Sequence, residues 1–181
     1  MYAEQPVIVI VDDNIANLRL AKNALEGTYE IFTLPSAEKM FDLLKRNKPA
    51  LILLDIEMPI MDGYAAIKIL KQDTETRDIP VIFLTGKEDE ESELVGLSLG
   101  AVDYISKPFM PRLLCQRVDL HLTMEAQKHK LEDQTRILEE KRLELQNFNN
   151  NLQNMVNEKT GKVLELQNAI LKTVANLVES R

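Results

Sequence analysis

Short apolar runs alternate with helical spacings through the first 110 residues. Val7–Val11, Tyr29–Leu34, Leu51–Leu54, Val81–Leu84 and Val102–Ile105 are runs of four to six residues, rich in β-branched and aliphatic side chains. Runs this short and this apolar suit strands buried on both faces of a parallel sheet. Between them, apolar positions recur at helical intervals. Leu18, Ala21 and Leu25 lead to a stop at Gly27; Met40, Phe41 and Leu44 follow Pro35-Ser36; Tyr64–Leu70 follows Gly63; Leu94, Leu97 and Leu99 end at Gly100. The chain is helical in pattern from Leu113 onward.

Strands that alternate with helices make βαβ units. Five of them predict an α/β fold, a flavodoxin-like doubly wound five-stranded parallel sheet of order 2-1-3-4-5. Right-handed crossovers place the carboxyl end of every strand on one edge. That edge collects Asp12, Asp13, Asp55, Thr85 and Lys107. Taken singly, each of these is an ordinary cap or turn residue. Together they bring three carboxylates, a hydroxyl and an ammonium to one place. Crowded carboxylates raise one another's pKa unless a cation joins them. Hard oxygen donors suit Mg²⁺, with Mn²⁺ as the alternative, and Mg²⁺ shares its coordination between one or two carboxylates, waters and phosphate oxygens. A Mg²⁺ on Asp13 and Asp55 leaves room for a phosphoryl group. A carboxylate is a competent phosphoryl acceptor, while Thr85 and Lys107 offer a donor and a point charge to its oxygens. Lys107-Pro108 is a candidate cis peptide that would hold the lysine in place.

Asp12-Asp13, Asp55 with Met58-Pro59-x-Met61-Asp62-Gly63, Thr85-Gly86 and Lys107-Pro108-Phe109 resemble a two-component response-regulator receiver domain over about residues 5–124. The resemblance implies that Asp55 is the phosphoacceptor and that the phosphate comes from a histidine kinase or phosphotransfer protein. It implies that Asp13, Asp55 and the backbone carbonyl of Glu57 ligate the metal, with Asp12 acting through water. It makes Thr85 and Tyr104 the switch pair. Glu57 and Lys87 stand where the family tunes dephosphorylation. No enzymatic activity beyond slow self-dephosphorylation is implied for these residues. A flavin-binding protein of the same fold is the alternative, and Asp12-Asp13 stand where its phosphate would need donors. A metal-dependent phosphatase with an aspartyl nucleophile is another.

The tail carries a second pattern. Leu131, Leu138, Leu145 and Leu152 recur every seven residues, with Met124 before them, Leu166 after them and Lys159 breaking the column. Thr135, Arg142, Asn149, Val156, Val163, Ile170 and Leu177 form a second column four residues on. Leucine at d with a polar-to-apolar a column predicts a parallel coiled-coil homodimer through residues 124–181. Asn149-Asn150-Asn151 and Gly161 are weak helix formers that mark a candidate break. The expected division is a receiver at residues 1–124 and a coiled-coil linker at 125–181. The pattern is still running at Leu177–Arg181, which reads as the front of a longer protein. Residues 164–181 resemble the lead-in helix of HD-GYP domains, the cyclic di-GMP phosphodiesterases, whose His-Asp pair and Gly-Tyr-Pro are absent here. A histidine-kinase or diguanylate cyclase output is the alternative.

Charge and composition narrow the partners. Residues 1–111 hold 19 acidic and 11 basic side chains, net −8, and residues 112–181 hold 10 and 11, net +1. An acidic globular part without a basic stripe or aromatic platform argues against nucleic acid. Cys115 is the one cysteine, which excludes an intrachain disulfide and reads as a packing residue. The sequence has no apolar run long enough for a membrane span and no signal peptide, so the expected location is cytoplasmic.

Overall fold

In the computed structural model, residues 5–86 and 95–179 are described, with side chains up to residue 172. Lys87 and Leu94, and the side chain of Leu177, lie outside the described residues. Strands β1 (Val7–Val11), β2 (Glu30–Leu34), β3 (Leu51–Asp55), β4 (Val81–Thr85) and β5 (Asp103–Ser106) form one parallel sheet of order β2-β1-β3-β4-β5. Helices α1 (Ile15–Leu25), α2 (Ala37–Leu44) and α3 (Gly63–Gln72) connect the first four strands, residues 95–98 are helical, and α4 runs from Pro111 to Glu179.

Alternation along the strands builds two cores. Val9, Val11, Ile52, Leu54, Val81 and Phe83 face α2 and α3, packing on Met40, Ile67 and Leu70. Ile8, Ile10, Leu51, Leu53, Ile82 and Leu84 face the other way, against Leu18 and Leu25 of α1 and Leu114 and Val118 of α4. Every residue of β3 and β4 is buried. This is why their sequences are continuous apolar runs.

β3 and β4 each reach one residue beyond the apolar run, to Asp55 and Thr85, and β5 begins one residue later than Val102. α4 begins at Pro111, a position where the missing N–H costs nothing. It passes unbroken through Asn149-Asn150-Asn151 and Gly161. The candidate break is therefore not realised: each weak helix former costs about 1 kcal/mol or less, and extending an existing helix adds a hydrogen bond per residue. The chain divides into two compact units, Met1–Ala126 and Gln127–Arg181. In the second unit Leu131, Leu138, Leu145, Leu152, Val156, Val163, Leu166 and Ile170 are all exposed. No helix among the described residues is long and apolar enough to cross a membrane.

Gly63 is fixed by space. A Cβ there would stand 2.4 Å from the carbonyl oxygen of Asp55 and 2.9 Å from Cα of Ile56, both backbone atoms. Gly63→Ala should cost about 2–4 kcal/mol in denaturant unfolding, as overpacking against fixed backbone does. Gly161 has nothing within 4 Å of its Cβ position, so Gly161→Ala should raise the thermal stability of α4, by about 1 kcal/mol of helix propensity. Equal responses from the two variants would contradict both assignments.

Candidate functional site

The two aspartates after β1 are free for other work because a third residue starts the helix. Asn14 is the N-cap of α1, its side chain accepting from the Ala16 N–H at 2.9 Å. Asp12 is fully buried. Its Oδ1 accepts from the Asn14 N–H at 2.8 Å, and the Asn17 amide donates to both its oxygens at 3.1 Å. Asp13 is exposed. At the end of β3, Asp55 is 2% exposed, and its Oδ1 accepts from the Glu57 N–H at 3.2 Å. Asp62 caps α3 by accepting from the Ala65 N–H at 2.7 Å, so it belongs to the helix start rather than to the acidic cluster.

One ammonium holds the buried pair. Lys107 Nζ lies 2.7 Å from Asp12 Oδ2 and 2.7 Å from Asp55 Oδ1. Its position is set by the sheet edge: the Lys107 N–H donates to the carbonyl of Thr85 at 2.6 Å, and the Lys107-Pro108 peptide is cis. Thr85 is 3% exposed at the end of β4. Burial is the largest influence on Asp55. With the neighbouring Asp12 charge it outweighs Lys107 and the Glu57 amide, and the carboxyl sits above its ordinary pKa.

Ligand atoms of Asp12, Asp13 and Asp55 all lie within 4.8 Å of one another. An all-oxygen donor set with a third, exposed carboxylate fits a hard divalent cation such as Mg²⁺ or Mn²⁺. Beside it runs a groove of about 380 Å³ lined by Asp13, Glu57, Met58, Asp62, Tyr64 and Thr85. Tyr104 is half-buried on β5 and shares with Thr85 the wall of a cavity of about 10 Å³. All the expected residues except Lys87, which lies outside the described residues, are thus found on or beside one edge. Asn17 was not anticipated. Its one sequence signal is an amide in the first turn of α1, five residues after Asp12, where better helix formers are available.

Residues 8–119, more than half of the chain, match the family described as response regulator receiver domain. This chain belongs to that family. Over the receiver domain it is similar to the phosphate regulon transcriptional regulatory protein PhoB of Pseudomonas aeruginosa, 40% identical across 61% of this chain and 49% of that protein. Its fold matches a response-regulator crystal structure from Chloroflexus aurantiacus with a TM-score of 0.64 and 30% identity, covering 66% of this chain and 99% of that one. Similarity to a Vibrio cholerae protein named "Probable cyclic di-GMP phosphodiesterase" extends further: 36% identity across 98% of this chain and 37% of that protein. The chain spans half or less of the length of the curated relatives it matches.

A raised carboxyl pKa in the folded receiver has a defined sign. Ionising Asp55 costs the metal-free fold stability as pH rises from the ordinary carboxylate value through the raised one. Metal-free Asp55→Asn should therefore melt a few degrees above the parent at neutral pH, and the difference should close below the ordinary carboxylate range. Millimolar Mg²⁺ should stabilise the parent more than the variant, because ligand binds only the folded site. A variant less stable than the parent at neutral pH would mean that the lysine attraction outweighs burial.

Proposed function

We propose that this receiver domain accepts a phosphoryl group on Asp55 and passes the event to a dimeric coiled coil built from α4. The supporting observation is the convergence at one sheet edge of a buried carboxylate, two more carboxylates within 4.8 Å and a lysine 2.7 Å from two of them. Such a site supplies positioning and charge neutralisation, which is what phosphoryl transfer requires of a protein.

Both contacts described for Asp55 fall on Oδ1, which leaves Oδ2 for the phosphorus. In the proposed step Oδ2 bonds to phosphorus and the P–N bond of a donor phosphohistidine breaks. The imidazole leaves with the electron pair and takes up a proton. Asp13, Asp55 and the Glu57 carbonyl would hold Mg²⁺ directly, and Asp12 through water. The ion would neutralise charge on the phosphoryl oxygens. Lys107 then gains a phosphoryl oxygen to pair with, and Thr85, which lines the groove, donates its hydroxyl to another. Tyr104, across the small cavity, follows the threonine inward. The histidine comes from a kinase or phosphotransfer protein.

The coil reading rests on exposure. Eight apolar a and d side chains of one helix, Leu131 to Ile170, are 43–71% exposed. Together they offer roughly 800 Å² per copy, the size of a standard stable interface. A second copy in parallel register covers them. Arg142 and Asn149 weaken the part nearer the receiver and fix register, while Val156, Val163 and Ile170 tighten the far part. In the longer protein to which the Vibrio cholerae similarity points, the coil would control a cyclic di-GMP phosphodiesterase. That similarity covers 177 residues, well past the receiver, whereas the PhoB match covers 112.

Incubation with Mg²⁺ and radiolabelled acetyl phosphate should label the protein once per chain and leave Asp55→Asn unlabelled. Label retained in that variant, or multiple turnover of free phosphoesters, would count against the assignment. Sedimentation of the full chain should show a dimer that Leu145→Glu with Val163→Glu converts to a folded monomer. A parent that sediments as a monomer at tens of micromolar would remove the coil from the proposal.

A further inference from the structure

Outside the phosphoryl site, one charged cluster joins the sheet to α4. Asp103 opens β5 and is 8% exposed. Its Oδ2 receives Arg117 Nη1 at 2.9 Å and lies 2.9 Å from His121 Nε2; both partners are on α4. Its Oδ1 accepts from the Tyr104 N–H at 2.8 Å. β5 is an edge strand with β4 as its one neighbour. On this edge strand the Asp103 side chain accepts from the backbone of its own neighbour, Tyr104. One carboxylate therefore holds the backbone of the residue that shares a cavity with Thr85, and with its other oxygen two side chains of the helix that follows.

We propose that Asp103 is a positioning residue that carries a change at Thr85 and Tyr104 into the root of α4 through Arg117 and His121. The inference rests on the reading of Asp55 as phosphoacceptor. The route is continuous: Thr85 and Tyr104 border one cavity, the Tyr104 N–H is bonded to Asp103, and Asp103 is bonded to α4. Two further polar ties of the α4 root go elsewhere. Cys115 Sγ reaches the Ala24 carbonyl at 3.1 Å, and Tyr29 donates its hydroxyl to Asp119. Those contacts anchor the helix to α1 and the start of β2, on the far side from the cavity. A movement of Tyr104 thus acts on α4 through Asp103 while α1 and β2 hold its other flank.

Asp103→Asn separates the two halves of this link. The amide oxygen can still accept from the Tyr104 N–H, but the NH₂ that replaces Oδ2 faces the Arg117 guanidinium, which has only donors, and carries no charge to pair with it. Cys115 supplies a readout, being the one thiol in the chain and part of the α4 root. Its rate of reaction with an aromatic disulfide reagent is measured with Mg²⁺, with and without beryllofluoride as phosphoryl mimic, alongside acetyl-phosphate labelling and a thermal melt. In the parent, beryllofluoride should change the thiol rate by about fivefold or more, an ordinary coupling between sites. Asp103→Asn should label at Asp55 as the parent does, yet show one thiol rate in both conditions. The double variant Arg117→Gln, His121→Gln should behave likewise, and it decides the matter if Asp103→Asn does not fold. A merely structural salt bridge would lower the melting temperature and leave the beryllofluoride response intact, which overturns the inference. A parent that labels but whose thiol rate ignores beryllofluoride also overturns it, without touching the phosphoacceptor reading. A parent that does not label at all removes both.

Discussion

Two nearly buried carboxylates share one ammonium, and the rest of the receiver is arranged so that they can. Asp12 and Asp55 stand at the ends of neighbouring strands, Asp12 just past β1 and Asp55 the last residue of β3, with almost no solvent to stabilise their charges. Burying a charge without a partner costs several kcal/mol, so Lys107 has to arrive between them. It arrives from β5, two strands from β3, because the sheet is parallel and every strand finishes on the same edge. The Asn17 amide and the Glu57 N–H supply further donors to the two carboxylates. Even so, burial keeps Asp55 reluctant to ionise. The site is short of positive charge, which a divalent cation would supply, and that shortage is what makes it receptive chemistry rather than a finished salt bridge.

The parts of this arrangement that follow from backbone rules were legible in the sequence. Strands buried on both faces have no choice but to be apolar throughout, so β1, β3 and β4 announced themselves, and the crossover rule then fixed which residues meet. The strand ends were misjudged by one residue for a physical reason. Hydrophobicity stops at Leu54 and Leu84, but ladder pairing continues, with Asp55 opposite Leu84 and Thr85 opposite Ser106. Asp55 and Thr85 are therefore the last members of their strands and inherit their rigidity. Asn17 and the Asp103–Arg117–His121 cluster were not legible. Their partners are chosen by how α1 and α4 dock on the sheet, and a polar residue on a helix does not declare which neighbour it meets.

The tail shows the opposite economy. In the receiver, polar groups are drawn into an apolar interior and must be matched one by one. In the second unit, apolar groups stand exposed along a polar helix. The persistence of α4 through Asn149-Asn150-Asn151 and Gly161 shows that propensity alone does not decide local structure once a helix is under way. The polar a positions are then a matter of partner register rather than of helix formation.

Asn14 has a consequence for how this loop can change over evolution. Polar surface loops normally tolerate gain or loss of a residue. Here the count between Val11 and Ile15 separates two duties: carboxylates for the site, then an amide to start the helix. Deleting one residue would press Asp13 into service as the cap and take its charge from the cluster. The loop after β1 is thus free to vary in neither length nor order, although Asp13 and Asn14 lie open to water.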